Sequence, residues 1–368
     1  MPDERGLRSG SATSAPGAHR RRLRALAARA APPGFYLLAA TAFVTFYTQR
    51  TVWLPPGPQG WTDGQAPFPF RYRALPLWVA GLLAKGVGRA RLPWIYFAIA
   101  TVATCAGLLA YRAFLARFVR GRLATLLAFG LLYVMAWHYA VLNALYFPFD
   151  LPAVLFFTAG WLFCLRRSWR AYYPVFLLGC FNRETILFLA VLFALTWFGR
   201  MPRRRLALHL GAQAILYLGV KALLVRMYPA PDAALYASVW WKNRETYLGL
   251  LTLRGNGLKD WAKLVLAFGG FWWLLPFVWR AQPPEIRRSL LLVPIFVLTL
   301  QRVATIDEMR IYAELLPVVA TPVLLALARW VDGERCAPAR PGEPGGEGSA
   351  EPARPAAAGS VYGPPDRP

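Results

Sequence analysis

Apolar runs of about twenty residues recur between residues 35 and 330, and short polar or arginine-rich stretches separate them. An α-helix needs about 20 apolar residues to cross a bilayer, and it satisfies its backbone groups within the segment. A transmembrane β-barrel would instead show alternating segments of about ten residues. The pattern therefore predicts an all-α, polytopic bundle of transmembrane helices.

Uninterrupted runs are predicted as single spans, and they lie at residues 35–52, 94–111, 123–142, 149–165, 206–225, 261–279, 290–303 and 311–330. The stretch 172–198 is also apolar, but Asn182, Arg183 and Glu184 interrupt it. Ionisable side chains inside a membrane are costly and usually face a protein interior or a wet cavity. Two interpretations follow: a pair of half-spans that meet at Arg183, or one tilted helix in which Arg183 pairs with Glu184.

The distribution of Lys and Arg favours the split pair. With the N-terminus inside, splitting the stretch leaves a larger set of arginines in the cytoplasm: Arg112, Arg117, Arg120, Arg122, Arg166, Arg167 and Arg170. The single-helix interpretation moves these outside and gains only Lys85, Arg89 and Arg91 inside. Because Lys and Arg favour cytoplasmic loops, we predict about ten spans with both termini cytoplasmic.

The same topology defines the domains. Residues 1–33 and 332–368 are predicted as disordered cytoplasmic tails, and residues 34–331 as the transmembrane domain. Its outer loops are predicted at 53–93 and 226–259. Within the first loop, residues 77–87 are apolar but too short to span, which indicates an interfacial or re-entrant piece.

Composition supports a membrane protein over a soluble or nucleic-acid-binding one. Hydrophobic residues make up 57% of the chain and charged residues 16%, against about 25% in soluble domains. The net charge is +24, but the arginines cluster at helix ends and in the N-terminal tail, so we expect a lipid bilayer rather than nucleic acid as the partner. The four cysteines show no metal-binding spacing, and no nucleotide-binding or serine-hydrolase motif occurs.

The first outer loop carries one acid and two arginines of interest. Asp63 is the only acid in this loop, so it is a candidate general base, although Asp-Gly is also a turn dipeptide. Arg71 and Arg73 lie among aromatic residues, and a guanidinium binds phosphate through its planar fork. Interfacial anchoring beside lipid headgroups is the alternative for both.

Further polar residues come to the same outer face. Asp150 opens a helix, where it complements the helix dipole or serves as a second carboxylate for sugar hydroxyls or a metal. Glu308 and Arg310 precede the last helix, and the four-residue spacing predicts an ion pair between Arg310 and Glu314.

The order of these motifs resembles the GT-C superfamily of integral-membrane glycosyltransferases. It comprises an anchor helix, an acid in the first outer loop, FRYRALP, FDLP, the split LLGCFNRETILFL, and EMRIYAELLP, over residues 35 to 330. The resemblance implies that Asp63 is the catalytic acid and that Asn182, Arg183 and Glu184 lie at the active site. It also implies a polyprenyl-phosphate-linked sugar as donor. Many members have paired acids in the loop, whereas Asp63 is single, which leaves a divalent metal open.

We therefore expect a glycosyltransferase at the outer face of the cytoplasmic (inner) membrane, with no cofactor required by any motif. Arg71, Arg73 and Arg183 would hold the donor phosphate, and Asp150, Asn182, Glu184, Glu308 and Arg310 would contact substrate. The alternatives are a transporter or flippase for a lipid-linked sugar, or a non-catalytic membrane protein of envelope biosynthesis. Transporters tend to have broken helices in matching halves, and the sequence has a single interrupted span.

Overall fold

The computed structural model describes residues 16–229, 237–252, 257–301, 304–305 and 308–331. They belong to one compact unit, Met1–Ala337. The helices in the described ranges are α1 (Pro16–Arg50), α2 (Gly57–Thr62), α3 (Ala74–Val87), α4 (Leu92–Leu115), α5 (Gly121–Leu127), α6 (Gly130–Ala136), α7 (Asp150–Leu165), α8 (Trp169–Asn182), α9 (Leu187–Trp197), α10 (Arg203–Met227), α11 (Ala237–Thr252), α12 (Gly257–Leu266), α13 (Phe271–Val278), α14 (Pro284–Leu290), α15 (Leu292–Leu300) and α16 (Leu316–Val331).

Shorter elements connect these helices. Short 3₁₀ segments lie at Phe70–Tyr72, Arg89–Arg91, Glu184–Ile186, Ala267–Gly270, Trp279–Ala281 and Met309–Leu315, and a π-turn lies at Trp137–Val141. Two short parallel strands, β1 (Val52–Trp53) and β2 (Leu145–Tyr146), form the sheet of the described chain.

Five helical segments in the described ranges are long and apolar enough to cross a membrane: Arg89–Leu115, Gly121–Val141, Arg203–Met227, Gly257–Ala281 and Met309–Val331. Each coincides with a span predicted from the sequence. Shorter apolar helices occur at Ala74–Val87, Asp150–Leu165 and Glu184–Trp197. The prediction of a mostly helical membrane protein is confirmed at this level.

Helix α7 lies at the centre of the bundle. It is apolar on all faces, which is typical of a helix with neighbours on every side, and it packs against α4, α8 and α9. Gly160 allows the close approach of α9, because a Cβ there would lie 2.3 Å from Leu189 Cδ2. Lipid tails are as apolar as side chains, so helices in a membrane associate by such close packing.

The chain segments between helices gather at two ends of the bundle. At one, β1 pairs with β2 and thereby fixes the end of α1 beside the start of α7, close to the break between α8 and α9. We call this the acidic end. At the other, which we call the arginine-rich end, Arg166 donates to the carbonyl of Ala113, and Arg288 donates to the carbonyl of Phe198.

Helix is present within two segments that the sequence predicts as a disordered tail and an outer loop. Helix α1 begins at Pro16, so residues 16–33 are helical, and the 16 residues of α11 lie within the loop predicted at 226–259. Residues 16–33 are rich in Ala and Arg, which are strong helix formers even without a long apolar run. Residues 1–15 and the tail 332–368 lie outside the described residues.

Candidate functional site at the acidic end

The helix break predicted at Asn182–Arg183–Glu184 is present. Helix α8 ends at Asn182, Arg183 is extended (φ −161°, ψ 144°), and a 3₁₀ turn from Glu184 leads into α9. The side-chain amide of Asn182 donates to the carbonyl of Phe149 at 3.0 Å, which ties the break to the start of α7. The sequence therefore turns sharply at this point, and its polar side chains face protein partners.

Arg183 is the centre of a buried ionic cluster. Its guanidinium lies 3.4 Å from Asp150 Oδ1 and 3.8 Å from Glu314 Oε1, and it donates to the carbonyl of Arg310 at 3.3 Å. Arg183, Asp150 and Glu314 are at most 1% exposed. Removing charges from water is costly, so such a cluster persists only when each ion has partners. The cluster joins α7, the break and the segment Met309–Leu315 before α16 into one framework.

The buried cluster retains unused hydrogen-bonding capacity. Within the described structure, Asp150 Oδ2, Asn182 Oδ1, Glu314 Oε2 and Arg310 Nη1 are buried and have no hydrogen-bond partner. Buried polar atoms usually have a partner from protein or water. The buried cluster therefore contains three acceptor atoms and one donor atom that the described protein leaves without a hydrogen bond.

A second, more accessible cluster lies beside the first. We call Arg73, Glu184 and Lys221 the rim cluster. Glu184 accepts from Arg73 Nε at 3.0 Å and from Lys221 Nζ at 3.1 Å. Their side chains are 12% (Arg73), 30% (Glu184) and 18% (Lys221) exposed. The rim cluster thus offers two cations to an approaching anion while Glu184 holds them together.

Aromatic rings support the guanidinium of Arg73, which lies 4.5 Å from the ring centroid of Phe149 and 5.0 Å from that of Phe70. Burial lowers the pKa of Arg73, and the carboxylate of Glu184 acts in the opposite direction. Arg suits such a site because its planar group stacks on rings and stays charged. The stacking fixes the loop before α3 against the start of α7.

Glu308 and Arg310 lie at the same end, but the predicted Arg310–Glu314 pair is wrong. Arg310 pairs with Glu308, and its guanidinium carbon lies 3.3 Å from the ring centroid of Phe147. Glu314 instead accepts from Thr185 and pairs with Arg183. The segment Met309–Leu315 is a 3₁₀ turn with three residues per turn, so residues four apart do not share a face.

Asp63 and Arg71 belong to neither cluster. The carboxylate of Asp63 accepts from Arg89 Nη2 at 2.8 Å and from Nη1 at 3.2 Å, and both side chains are open to solvent. Arg71 donates from Nε to the carbonyl of Ala66 at 2.6 Å and lies over the ring of Phe68. The structure therefore does not bring Asp63 into contact with Arg183.

Sequence analysis missed Lys221, Thr185 and the role of Glu314. Lys221 is the only Lys or Arg within the apolar run 206–225, and that position is the signal that could have identified it. Glu314 lies 131 positions from Arg183 in the chain, and no local pattern reveals such a pair.

Comparison of the chain with protein-family models, curated proteins and solved structures finds no match. Among the described residues, no group of three His, Cys, Asp or Glu side chains is arranged to hold a metal ion. Function has to follow from the chemistry of the site. That chemistry consists of a buried ionic framework, a rim of two mostly buried cations, and carboxylates at Glu184 and Glu308 that are about one-third exposed.

Proposed function

We propose that this chain is a GT-C-type membrane glycosyltransferase, which moves a sugar from a polyprenyl-phosphate-linked donor to an acceptor. The observation that carries the proposal is the meeting of the helix break at Arg183 with the rim cluster at one end of a membrane bundle. The rim cations suit a lipid-linked phosphate, and the unpartnered buried polar atoms nearby suit sugar hydroxyls.

The proposed orientation places the acidic end at the outer face of the cytoplasmic membrane. Arginines outnumber acids at the opposite end, and cytoplasmic loops carry the excess of Lys and Arg. In this arrangement α8 and α9 are half-spans, the chain crosses the membrane about ten times, and both termini are cytoplasmic.

In the proposed mechanism Arg73 and Lys221 bind the donor phosphate, because both are partly exposed and side by side on Glu184. Arg71 contributes a third cation from the same loop. The burial of Arg183 makes it a positioning residue, which holds Asp150 and Glu314 while the rim residues contact the donor. This changes the role predicted for Arg183 from the sequence.

The proposed general base is Asp63. The hydroxyl oxygen of the acceptor attacks the anomeric carbon, the bond from that carbon to the phosphate oxygen breaks, and polyprenyl phosphate leaves with the bonding electrons. Asp63 takes the proton of the hydroxyl. Its carboxylate is accessible, and it belongs to a different contact group from the rim cluster. Base and donor site can therefore be tested separately.

A bond-cleavage assay tests the proposal. Purified protein in liposomes is given a panel of polyprenyl-phosphate sugars labelled in the sugar, together with a membrane extract as the source of acceptor. We expect one donor to yield free polyprenyl phosphate and labelled, non-lipid product. Movement of intact labelled donor between leaflets without cleavage would identify a flippase and contradict the proposal.

A further inference from the structure

A cavity of about 590 Å³ lies at the arginine-rich end, where α8 begins and α9 ends, away from the break between these two helices. It forms where α8 begins, α9 ends and α10 begins. Its walls combine cationic side chains, Arg167 and Arg205, with the aromatic rings of Trp169 and Trp197. None of these residues takes part in the glycosyl transfer proposed above.

The cavity has an excess of positive charge. No carboxylate of the described chain pairs with Arg167 or Arg205, and both are exposed. A third arginine in the wall, Arg200, is already paired with Glu285 at 2.5 Å. Two arginines without a carboxylate partner beside one pocket attract an anion, and guanidinium groups bind phosphate in particular.

The backbone of Arg167 is in the left-handed region, with φ of +55°. This residue caps the end of α7, since its N–H donates to the carbonyl of Cys164 and the N–H of Ser168 donates to that of Phe163. Glycine is usual at such a cap because a side chain strains the backbone there. An arginine is present instead, and its guanidinium lies 4.7 Å from the ring centroid of Trp197 at the cavity.

The other wall of the cavity is apolar and continues into the membrane-facing surface. Trp169 packs on His209 with ring centroids 4.7 Å apart, and the hydroxyl of Tyr173 lies 2.6 Å from His209 Nδ1. Leu208 in the same wall is 65% exposed. Leu208 belongs to α10, and the most apolar part of this helix is only 17% buried within the protein, which leaves a surface that suits lipid.

We propose that this cavity binds the phosphate headgroup of an anionic phospholipid. Arg167 and Arg205 hold the phosphate, and the acyl chains follow Leu208 along α10. The apolar continuation distinguishes a lipid from a free anion, and basic pockets between transmembrane helices are known to suit acidic headgroups. Tryptophan and tyrosine side chains, which line this cavity, are enriched at the interface between membrane and water.

Thermal unfolding of the delipidated, detergent-solubilised chain tests the proposal with phosphatidylglycerol as the probe. A ligand that binds only the folded state raises Tm, and at about 100-fold excess over Kd we expect a rise of roughly 3–6 °C. Phosphatidylcholine and inorganic phosphate at the same concentration should give less than half of this shift. An equal shift with either one would overturn the assignment to an anionic lipid.

Variants separate the cavity from general surface charge. Arg167→Gly removes the cation and relieves the backbone, so its Tm without lipid should equal or exceed that of the wild type. Arg167→Gly and Arg205→Gln should lose at least half of the shift produced by phosphatidylglycerol. The control Arg122→Gln, an exposed arginine outside the cavity, should keep it. Full retention in both cavity variants, or equal loss in the control, would overturn the proposal.

Discussion

At the scale of single residues, burial determines what each charged side chain can do. The sequence identified Arg183 as a polar residue inside an apolar stretch, and the structure places it there with three partners on α7 and the final segment. Sequence analysis could not predict that Arg183 is buried, since its partners Asp150 and Glu314 lie 33 and 131 positions away in the chain. Its partners come from tertiary contacts, whereas only its polarity is visible locally.

Replacing Arg183 should therefore lower the stability of the folded protein, and any loss of activity should follow from that loss of stability. Removing one partner of a buried ion pair typically costs about 3–5 kcal/mol, so Arg183→Ala should sharply reduce folded protein in detergent. Arg183→Lys should also reduce it, because a single ammonium does not span two carboxylates and a carbonyl. Size-exclusion profiles and Tm measure this, with the exposed Arg226→Lys as control. A fully folded but inactive Arg183→Lys variant would instead support the phosphate-binding role that the sequence predicts for Arg183.

The base assigned to Asp63 makes a separate prediction. General-base catalysis typically contributes about 10²–10⁴-fold to a rate, so Asp63→Asn should lower kcat for sugar transfer by at least 100-fold while leaving donor KM nearly unchanged. Asp260→Asn is the matched control, because Asp260 also pairs with one basic residue, Lys263. Loss of transfer in the control as well, or retention in Asp63→Asn, would remove Asp63 from the mechanism.

At the scale of elements, the length of the apolar runs predicted more of the helices than the polar segments did. The five long apolar helices and the break at Arg183 follow from run length and interruption. The sequence did not predict helix α11 because its polar and apolar residues are mixed without a long apolar run, and it misassigned the Arg310–Glu314 pair because 3₁₀ geometry replaces the α-helix there. Run length is a property of the local sequence, whereas the choice between 3₁₀ and α geometry depends on packing around it.

The break itself depends on a close approach between its two halves. A Cβ at Gly179 in α8 would lie 2.6 Å from Ile186 Cγ1, so Gly179→Ala should overpack the junction and cost about 1–3 kcal/mol. Gly211→Ala, in α10 with no heavy atom within 4 Å of its added Cβ, should be neutral or slightly stabilising. The comparison of Tm in the same detergent checks this. An equal Tm for both variants would show that the junction is loosely packed.

At the scale of the whole molecule, the two ends of the bundle differ in charge and in the function that we propose for each. The acidic end gathers the helix break, the buried ionic framework and the rim cluster, and the arginine-rich end gathers the cavity at Arg167. The charge asymmetry was readable from the sequence as a loop bias of Lys and Arg. The side-chain contacts at each end could not be predicted from the sequence. Helix α10, for example, brings Lys221 to Glu184 across 37 positions of the chain.

Orientation follows from this asymmetry and can be tested by cysteine labelling. In a background whose native cysteines are replaced by alanine, Gln65→Cys at the acidic end should react with a membrane-impermeant maleimide in intact cells. Gly121→Cys at the arginine-rich end should react only after permeabilisation, because its loop is predicted to be cytoplasmic. Both positions are exposed in the structure. The reverse pattern of labelling would invert the proposed topology.

The central claim is that the rim cluster binds a lipid-linked sugar phosphate, and donor kinetics of a matched lysine pair test it most directly. Lys221 pairs with Glu184 at 3.1 Å, and Lys263 pairs with Asp260 at 3.3 Å. In the sugar-transfer assay we predict that Lys221→Met lowers kcat/KM for the donor tenfold or more, mainly by raising KM, while Lys263→Met matches the wild type. Equal donor kinetics for the two variants, with both folded, would contradict the account.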